Sequence, residues 1–485
     1  MTSLKTQALT GVKWTTLQTL VLGVSGPILL VIKSRFLSPE DFAHIAIIMI
    51  AVGLFRLLES FGISQAIIQR DSISKKESSS LFFFNLLLSL VLAIILILSS
   101  NIIASFFSMD RLKDYLPLVS IIVLISGPSL LFQAFLEKQM KFKALGIIGI
   151  CNGIAIFIIT TIFLFLGFGV LGVILGQIVG VLITSTAIIT YAIRYQLVRI
   201  NMYFNPKNIL PFLRFGVFVS AKELITFIAH RLDEIVIGYF LTHEVLGIYH
   251  FGKNMLERIR ILITKSFAKV LFPVFTKLKN NIEKLSNAYL RTSKYIAFGA
   301  FPIFMGILAT AHLFVPVVFG DQWSDSIIVF QVFSVIMIFL VLTANVATSL
   351  LYSLNKPDVV FYIDIITNVI YFTLLIFLAS NGLTSVLIIY SSYVVCKIII
   401  LQFFANKQLG QSFLVYLNGL VVPAILAGAM SISIYFFQLL FAPMMNAIVL
   451  LFSSIIIGLI TYVLLVLVFA KKIINEITKK QITTN

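Results

Sequence analysis

Charge is scarce in this chain. Asp, Glu, Lys and Arg together make up 11% of its 485 residues, 60% of the residues are hydrophobic, and the mean hydropathy is +1.07. Soluble domains average about 25% charged and about 45–50% apolar residues, so this shortage excludes a soluble globular protein. The apolar runs exceed the roughly 18 residues that mark a membrane-spanning helix. Long alternating strands are missing, which argues against an outer-membrane barrel. Cysteine is almost absent: Cys151 and Cys396 lie inside apolar runs, read as small packing residues, and imply neither a disulfide nor a metal site. Catalytic signatures are lacking as well. There is no GxxxxGK[ST] loop, no HExxH and no GxSxG, and His44, His230, His243, His250 and His312 are scattered. We therefore expect no enzyme and no cofactor. No connection is long enough for a soluble domain.

What is present is a set of apolar runs near 12–33, 42–66, 80–107, 115–136, 144–166, 170–192, 211–238, 245–275, 295–315, 326–352, 358–380, 384–404, 412–437 and 443–470. They predict an all-α polytopic membrane protein with about 14 transmembrane helices. The net charge of +17 raises nucleic acid as a partner, but its distribution disfavours it. About 23 Lys and Arg fall in one set of alternating connections, among them Lys75, Lys76, Lys138, Lys141, Arg194, Arg199 and the tail Lys471, Lys472, Lys479 and Lys480. About four, Lys33, Arg35, Arg111 and Lys113, fall in the other set, and about nine lie within spans. This asymmetry is the positive-inside pattern and places both termini in the cytoplasm. Lys5 and Lys13 precede the first apolar run without a cleavage site after it, so that run reads as a retained helix.

An internal repeat organises the helices. Phe36-Leu37-Ser38-Pro39-Glu40 recurs as Phe240-Leu241-Thr242-His243-Glu244, 204 residues later. Ser38 and Thr242 are both plausible N-caps for the helix that follows. Six helices separate the copies, which predicts two pseudo-symmetric six-helix lobes around a central cavity, as in transporters built by duplication. The expected domains are an N-terminal lobe at 1–200, a C-terminal lobe at 201–410, and two further helices with a basic tail at 411–485.

The remaining charges lie where charge is costly. Lys222, Glu223, Arg231, Asp233, Glu234, Lys253, Glu257, Arg258, Arg260, Lys265 and Lys269 crowd two predicted spans, although a charge near the bilayer centre costs at least about 2.5–3.5 kcal/mol. Such a cluster faces water, a partner or a substrate. The 204-residue offset pairs Arg56 with Arg260, both near mid-span. From facing lobes the two would enter the cleft from opposite sides, and arginine's planar fork suits phosphate and carboxylate oxygens. The bland alternative is local pairing, Arg56 with Glu59 at i+3 and Arg260 with Glu257 at i−3. Lys253, Glu257, Arg260 and Thr264 share one helix face, and Arg258 lies on a second, basic one. The candidate cavity residues are Arg56, Arg258, Arg260, Lys253 and Lys222. Candidate gate or ion-coupling residues are Glu59, Arg231, Asp233, Glu234 and Glu257, with Asp364 and Lys397 as isolated intramembrane charges for which the sequence offers no partner.

Several segments resemble a known family. Gly11-Val12-Lys13-Trp14, Arg35-Phe36-Leu37-Ser38-Pro39-Glu40-Asp41-Phe42 and Phe61-Gly62-Ile63-Ser64-Gln65-Ala66-Ile67-Ile68-Gln69 resemble the N-terminal motifs of Wzx-type polysaccharide flippases. Leu213-Arg214-Phe215-Gly216, Leu271-Phe272-Pro273 and Val315-Pro316-Val317-Val318-Phe319-Gly320-Asp321-Gln322-Trp323 continue the likeness, which is strongest to the colanic-acid-type branch and fades after about residue 410. Ala43 stands where the family usually has Gly. The resemblance implies the multidrug/oligosaccharidyl-lipid/polysaccharide exporter superfamily and alternating access. It also implies a polyprenyl-pyrophosphate-linked oligosaccharide as cargo in a bacterial inner membrane, with membrane lipids and the polysaccharide polymerase and export machinery as further partners. A lipid II flippase or a multidrug exporter of the same superfamily is the alternative. A membrane glycosyl-polymerase fits less well, because the large extracytoplasmic loop such enzymes need is missing.

Overall fold

The computed structural model describes residues 4–342 and 346–469, without the side chains of 4–9, 12 and 265–270. Lys5, Lys265, Lys269 and the basic tail therefore lie outside the described residues. Every regular element among the described residues is helical, as a bilayer demands, because a lone helix satisfies its own backbone polar groups where no water can. Twelve helices are long and apolar enough to cross a membrane. Two more, α8 (Leu210–Phe240) and α9 (His243–Leu278), are long enough at 31 and 36 residues but carry the charge cluster. The protein is thus a multi-pass membrane protein of about 14 spans.

The chain divides within α9 into two units, Met1–His250 and Phe251–Asn485. The first contains α1 (Leu4–Phe36), α2 (Pro39–Ser60), α3 (Ile63–Gln69), α4 (Lys75–Phe106), α5 (Leu112–Lys138), α6 (Phe142–Phe165), α7 (Val170–Arg194) and α8. Here α4 packs on α5, α5 on α7, α7 on α6 and α6 on α1, while α2 and α3 lie against both α5 and α8. The second unit continues with α10 (Ile282–Phe319), α11 (Ile327–Leu342), α12 (Thr348–Ser353), α13 (Pro357–Leu378), α14 (Leu383–Leu409), α15 (Phe413–Phe441) and α16 (Ala447–Phe469). In it α10 is packed between α11, α15 and α16, and α14 joins α13 to α11.

Helix starts follow local chemistry. Ser38 Oγ accepts from Asp41 N at 3.1 Å while Ser38 N donates to the Asp41 carboxylate at 3.0 Å, a capping box worth about 1 kcal/mol. Ser74 and Glu77 repeat it at the start of α4. Thr242 Oγ1 accepts from Val245 N at 3.4 Å. The repeat also holds at the level of elements: α1 and α8 end at Phe36 and Phe240, and α2 and α9 begin at Pro39 and His243. Both intervals are 204 residues.

Three features depart from the sequence reading or add to it. The second apolar run is not one helix: Phe61 and Gly62 adopt left-handed φ values of 38° and 62° and break it into α2 and α3. The break lies against α8. A Cβ on Gly62 would fall 2.7 Å from Gly216 Cα, and one on Gly216 would fall 2.1 Å from Phe61 O. Two glycines are needed for this backbone approach, so Gly62→Val combines left-handed strain with a backbone clash. We expect it to cost about 2–6 kcal/mol, checked by thermal unfolding of the purified protein. Next, Cys151 and Cys396 are free but exposed, not packed inside. Lastly, the segment ending in Trp323 is architectural. Gly320, with φ 110°, turns the chain after α10, and Trp323 is fully buried 4.1 Å from the Phe251 ring, which also contacts Phe319 and Phe330.

Basic residues at the positive end of the first unit tie its connections together. Lys138 Nζ donates to the carbonyls of Ile67 and Arg70, and Arg70 pairs with Glu77 at 2.9 Å while its guanidinium sits 4.1 Å over the Phe212 ring. Backbone amides of Asn201 and Asn205 donate to Ser79 and Ser80, strapping the long 195–209 connection to α4.

Candidate functional site

Helices α2, α8 and α9, the last of which is divided between the two units, carry most of the candidate residues, and the structure separates them into paired and unpaired groups. At the turn joining α8 to α9, two carboxylates are buried side by side. Glu234 accepts from Arg231 Nη1 at 3.1 and 3.2 Å and lies 3.0 Å from His250 Nδ1. Asp233 accepts from Tyr249 OH at 2.6 Å and from the Glu234 amide at 2.9 Å. Asp233, Glu234, Tyr249 and His250 are all buried. The expected trio of Arg231, Asp233 and Glu234 is thus an Arg231–Glu234 pair with Asp233 held separately. Sequence reading missed Tyr249 and left His250 among scattered histidines. Both contacts span 16 residues, the register of the α8–α9 hairpin about Leu241 and Thr242, which is the signal that could have found them.

Farther along α8, Lys222 is exposed and Glu223 accepts from Gln65 Nε2 at 3.3 Å, linking α8 to α3. On α2 the i+3 alternative fails. Arg56 is exposed and forms no ion pair among the described residues, because the Glu59 side chain turns the other way, into the bundle. There Glu59 is 0% exposed and accepts from Ser126 Oγ at 2.7 Å.

In the second unit the other local pair does form. Arg260 donates from Nε and Nη2 to Glu257 Oε2 at 2.9 and 2.7 Å, and Thr264 back-bonds to Arg260 O. Lys253, on the same face, is buried. Arg258, on the second face, is exposed and has no ion pair among the described residues. Asp364 and Lys397, isolated in the sequence, are partners: Lys397 Nζ lies 2.9 Å from Asp364 Oδ1 on neighbouring α13 and α14. Lys397 also donates to Tyr393 OH at 3.2 Å, and that hydroxyl donates to Asn368 Oδ1 at 2.9 Å.

Chemically, then, Arg231, Arg260 and Lys397 are each neutralised by a carboxylate, whereas Arg56 and Arg258 keep their guanidinium forks free for an anion. Such a fork binds phosphate or carboxylate oxygens in bidentate geometry. Among the described residues no group of three or more His, Cys, Asp and Glu is placed to hold a metal.

The fold is that of a multi-pass helical bundle with charged residues set inside its spans, and a solved structure has the same fold. The lipid II flippase MurJ in its inward closed conformation superposes with a TM-score of 0.76 at 16% identity, covering 95% of this chain and 99% of that one. The fold is therefore shared with that transporter.

Residues 32–328 match the family model described as polysaccharide biosynthesis protein, and the chain belongs to that family. Among its relatives, the teichuronic acid biosynthesis protein TuaB of Bacillus subtilis (strain 168) is 24% identical over 433 residues, 89% of each chain. The lipopolysaccharide biosynthesis protein WzxC of Escherichia coli (strain K12) is 24% identical over 366 residues, 75% of this chain and 73% of the relative. The Wzx-type resemblance read from the motifs is thereby borne out.

Proposed function

We propose that this protein moves polyprenyl-pyrophosphate-linked oligosaccharide repeat units from the cytoplasmic to the outer leaflet of the bacterial cell membrane, supplying exopolysaccharide, capsule or O-antigen synthesis. The observation that carries the reading is the division of the cationic side chains within a polysaccharide-biosynthesis family member. Arg56 and Arg258 stay free of carboxylates in segments where charge is expensive, while their neighbours are neutralised. A pyrophosphate or an acidic sugar would supply the missing anion. Lys222 would add positive potential, and Lys253 with the Glu257–Arg260 pair are the further candidates on α9.

In this reading the two repeats act as lobes that alternate access by rocking, with Arg231–Glu234 and Asp364–Lys397 as pairs that exchange or hold during the movement. The transporter fold needs binding and release and no covalent step, so no enzyme activity is proposed. Both termini would lie in the cytoplasm, in keeping with the positive-inside distribution, and the polymerase and export machinery would take over the cargo at the outer face. A lipid II flippase or a drug exporter would use the same fold, so cargo has to be tested directly. In cells lacking the gene, lipid-linked oligosaccharide is expected to accumulate on the cytoplasmic leaflet, measured by its accessibility to impermeant reagents in oriented vesicles. Unpolymerised units reaching the outer face, or lipid II accumulating instead, would overturn the assignment.

A further inference from the structure

Inside the first unit, away from the arginines, four helices enclose a nest of oxygen atoms. Its centre is Glu59 on α2, 0% exposed, with Oε2 bonded to Ser126 and Oε1 without any hydrogen-bond partner. Facing it on α4 is Ser89, with Asn85 one turn away on the same face. Asn85 is 1% exposed, and neither its side-chain oxygen nor its nitrogen has a partner. The carboxylate reaches this place because residue 127 is glycine: a Cβ there would lie 2.6 Å from Glu59 Oε1 and 2.4 Å from Ser89 Cβ. The hydroxyl protons around it are already committed. Ser126 donates to Glu59 at 2.7 Å with Val123 O as a second, longer acceptor at 3.2 Å, Ser89 to Leu86 O at 2.9 Å, Ser129 to Ser126 O at 2.7 Å and Ser185 of α7 to Ser129 Oγ at 3.1 Å. What the nest offers is oxygen lone pairs, the carboxylate of Glu59 and, as its one uncommitted donor group, the Asn85 carboxamide nitrogen.

A buried carboxylate without a counter-ion is costly enough that it is neutralised by some means, and buried polar atoms left unpaired in a native bundle call for an explanation such as an ion. Arg56, at i−3 on the same helix, is exposed and forms no ion pair with Glu59. The other named side chains around the nest, Asn85, Ser89, Ser126, Ser129 and Ser185, are uncharged. Hard cations take carboxylate, carboxamide and hydroxyl oxygens in preference to nitrogen or sulfur. We infer that Glu59, Asn85 and Ser89 form a binding site for one sodium-sized monovalent cation in the first unit. Binding at the site stands on this geometry alone. A role for the bound ion in driving transport rests on the flippase reading above.

The test needs no cargo, so its failure and the failure of that reading are distinguishable. Purified full-length protein is assayed for ²²Na⁺ binding and for thermal unfolding in sodium chloride against choline chloride at equal ionic strength. One Na⁺ per chain is expected, with a melting temperature that rises saturably with Na⁺. Glu59→Gln, which keeps the shape and removes the buried charge, should lose both effects while melting in choline at least as high as the natural protein. Asn85→Ala should weaken Na⁺ binding by tenfold or more, and Gly127→Ala should displace the carboxylate and do the same. Absence of Na⁺ binding by the natural protein, or a Na⁺-dependent shift that survives in Glu59→Gln, overturns the site. So does stabilisation that follows pH equally in sodium and choline, which would make the neutralising ion a proton.

Discussion

Replacing Arg56 and Arg258 together by alanine is expected to lower transfer of lipid-linked oligosaccharide by at least about 100-fold at matched protein levels. Hydrogen bonds to a charged group contribute about 1.5–3 kcal/mol each, and 1.4 kcal/mol is a factor of ten in affinity, so each arginine accounts for about 10–150-fold if it holds a pyrophosphate or an acidic sugar. Arg56→Lys should fall between the natural protein and Arg56→Ala, since lysine keeps the charge but not the bidentate fork. Arg260→Ala should matter less than Arg258→Ala, because Arg260 already gives two hydrogen bonds to Glu257. The measurement is the initial rate of appearance of labelled oligosaccharide in the outer leaflet of reconstituted vesicles. Undiminished transfer by the double variant would remove the arginines from the binding site.

Glu234→Ala is expected to be the most damaging single substitution for stability. Glu234 is 0% exposed and holds both Arg231 and His250. Removing one partner of a buried ionic network costs about 3–5 kcal/mol, because the charge left behind is uncompensated. At about 2–4 °C per kcal/mol for a unit of this size, the melting temperature should fall by roughly 6–20 °C. Glu234→Gln, which keeps acceptor capacity but no charge, should lose part of that. Melting of the two variants in the same detergent separates the charge from the hydrogen bonds.

The spans were legible because the bilayer acts on each helix separately. The run read at 170–192 is α7 at Val170–Arg194, and that at 384–404 is α14 at Leu383–Leu409. The break at Phe61–Gly62 was not legible. One glycine in an apolar run carries no periodic signal, and what requires it is Gly216, far away in sequence. Cys151 and Cys396 were misread as packed for a related reason. Lipid is as apolar as a helix interface, so hydrophobicity does not tell a residue facing lipid from one facing another helix.

The charged positions show the same boundary. Their places along each helix, the i−3 pair of Glu257 with Arg260 and the equivalence of the 36–40 and 240–244 turns could all be read from spacing, since neighbours on one helix are fixed by 3.6 residues per turn. Whether Glu59 would meet Arg56 at i+3 or Ser126 on another helix could not. Both lie within reach, and the choice depends on which face of α2 the bundle covers. Asp364 and Lys397 are 33 residues apart on neighbouring helices, and their pairing exists only because α13 and α14 pack in that register. That the chain is a many-helix membrane protein, roughly where its spans fall and where its charges sit could all be read from the residues alone, because burial in lipid and backbone self-satisfaction are local requirements. Which of those charges are neutralised, which arginines stay free and which carboxylate is enclosed follow from helix packing, because hydrogen bonds and ion pairs act over about 3–4 Å between helices.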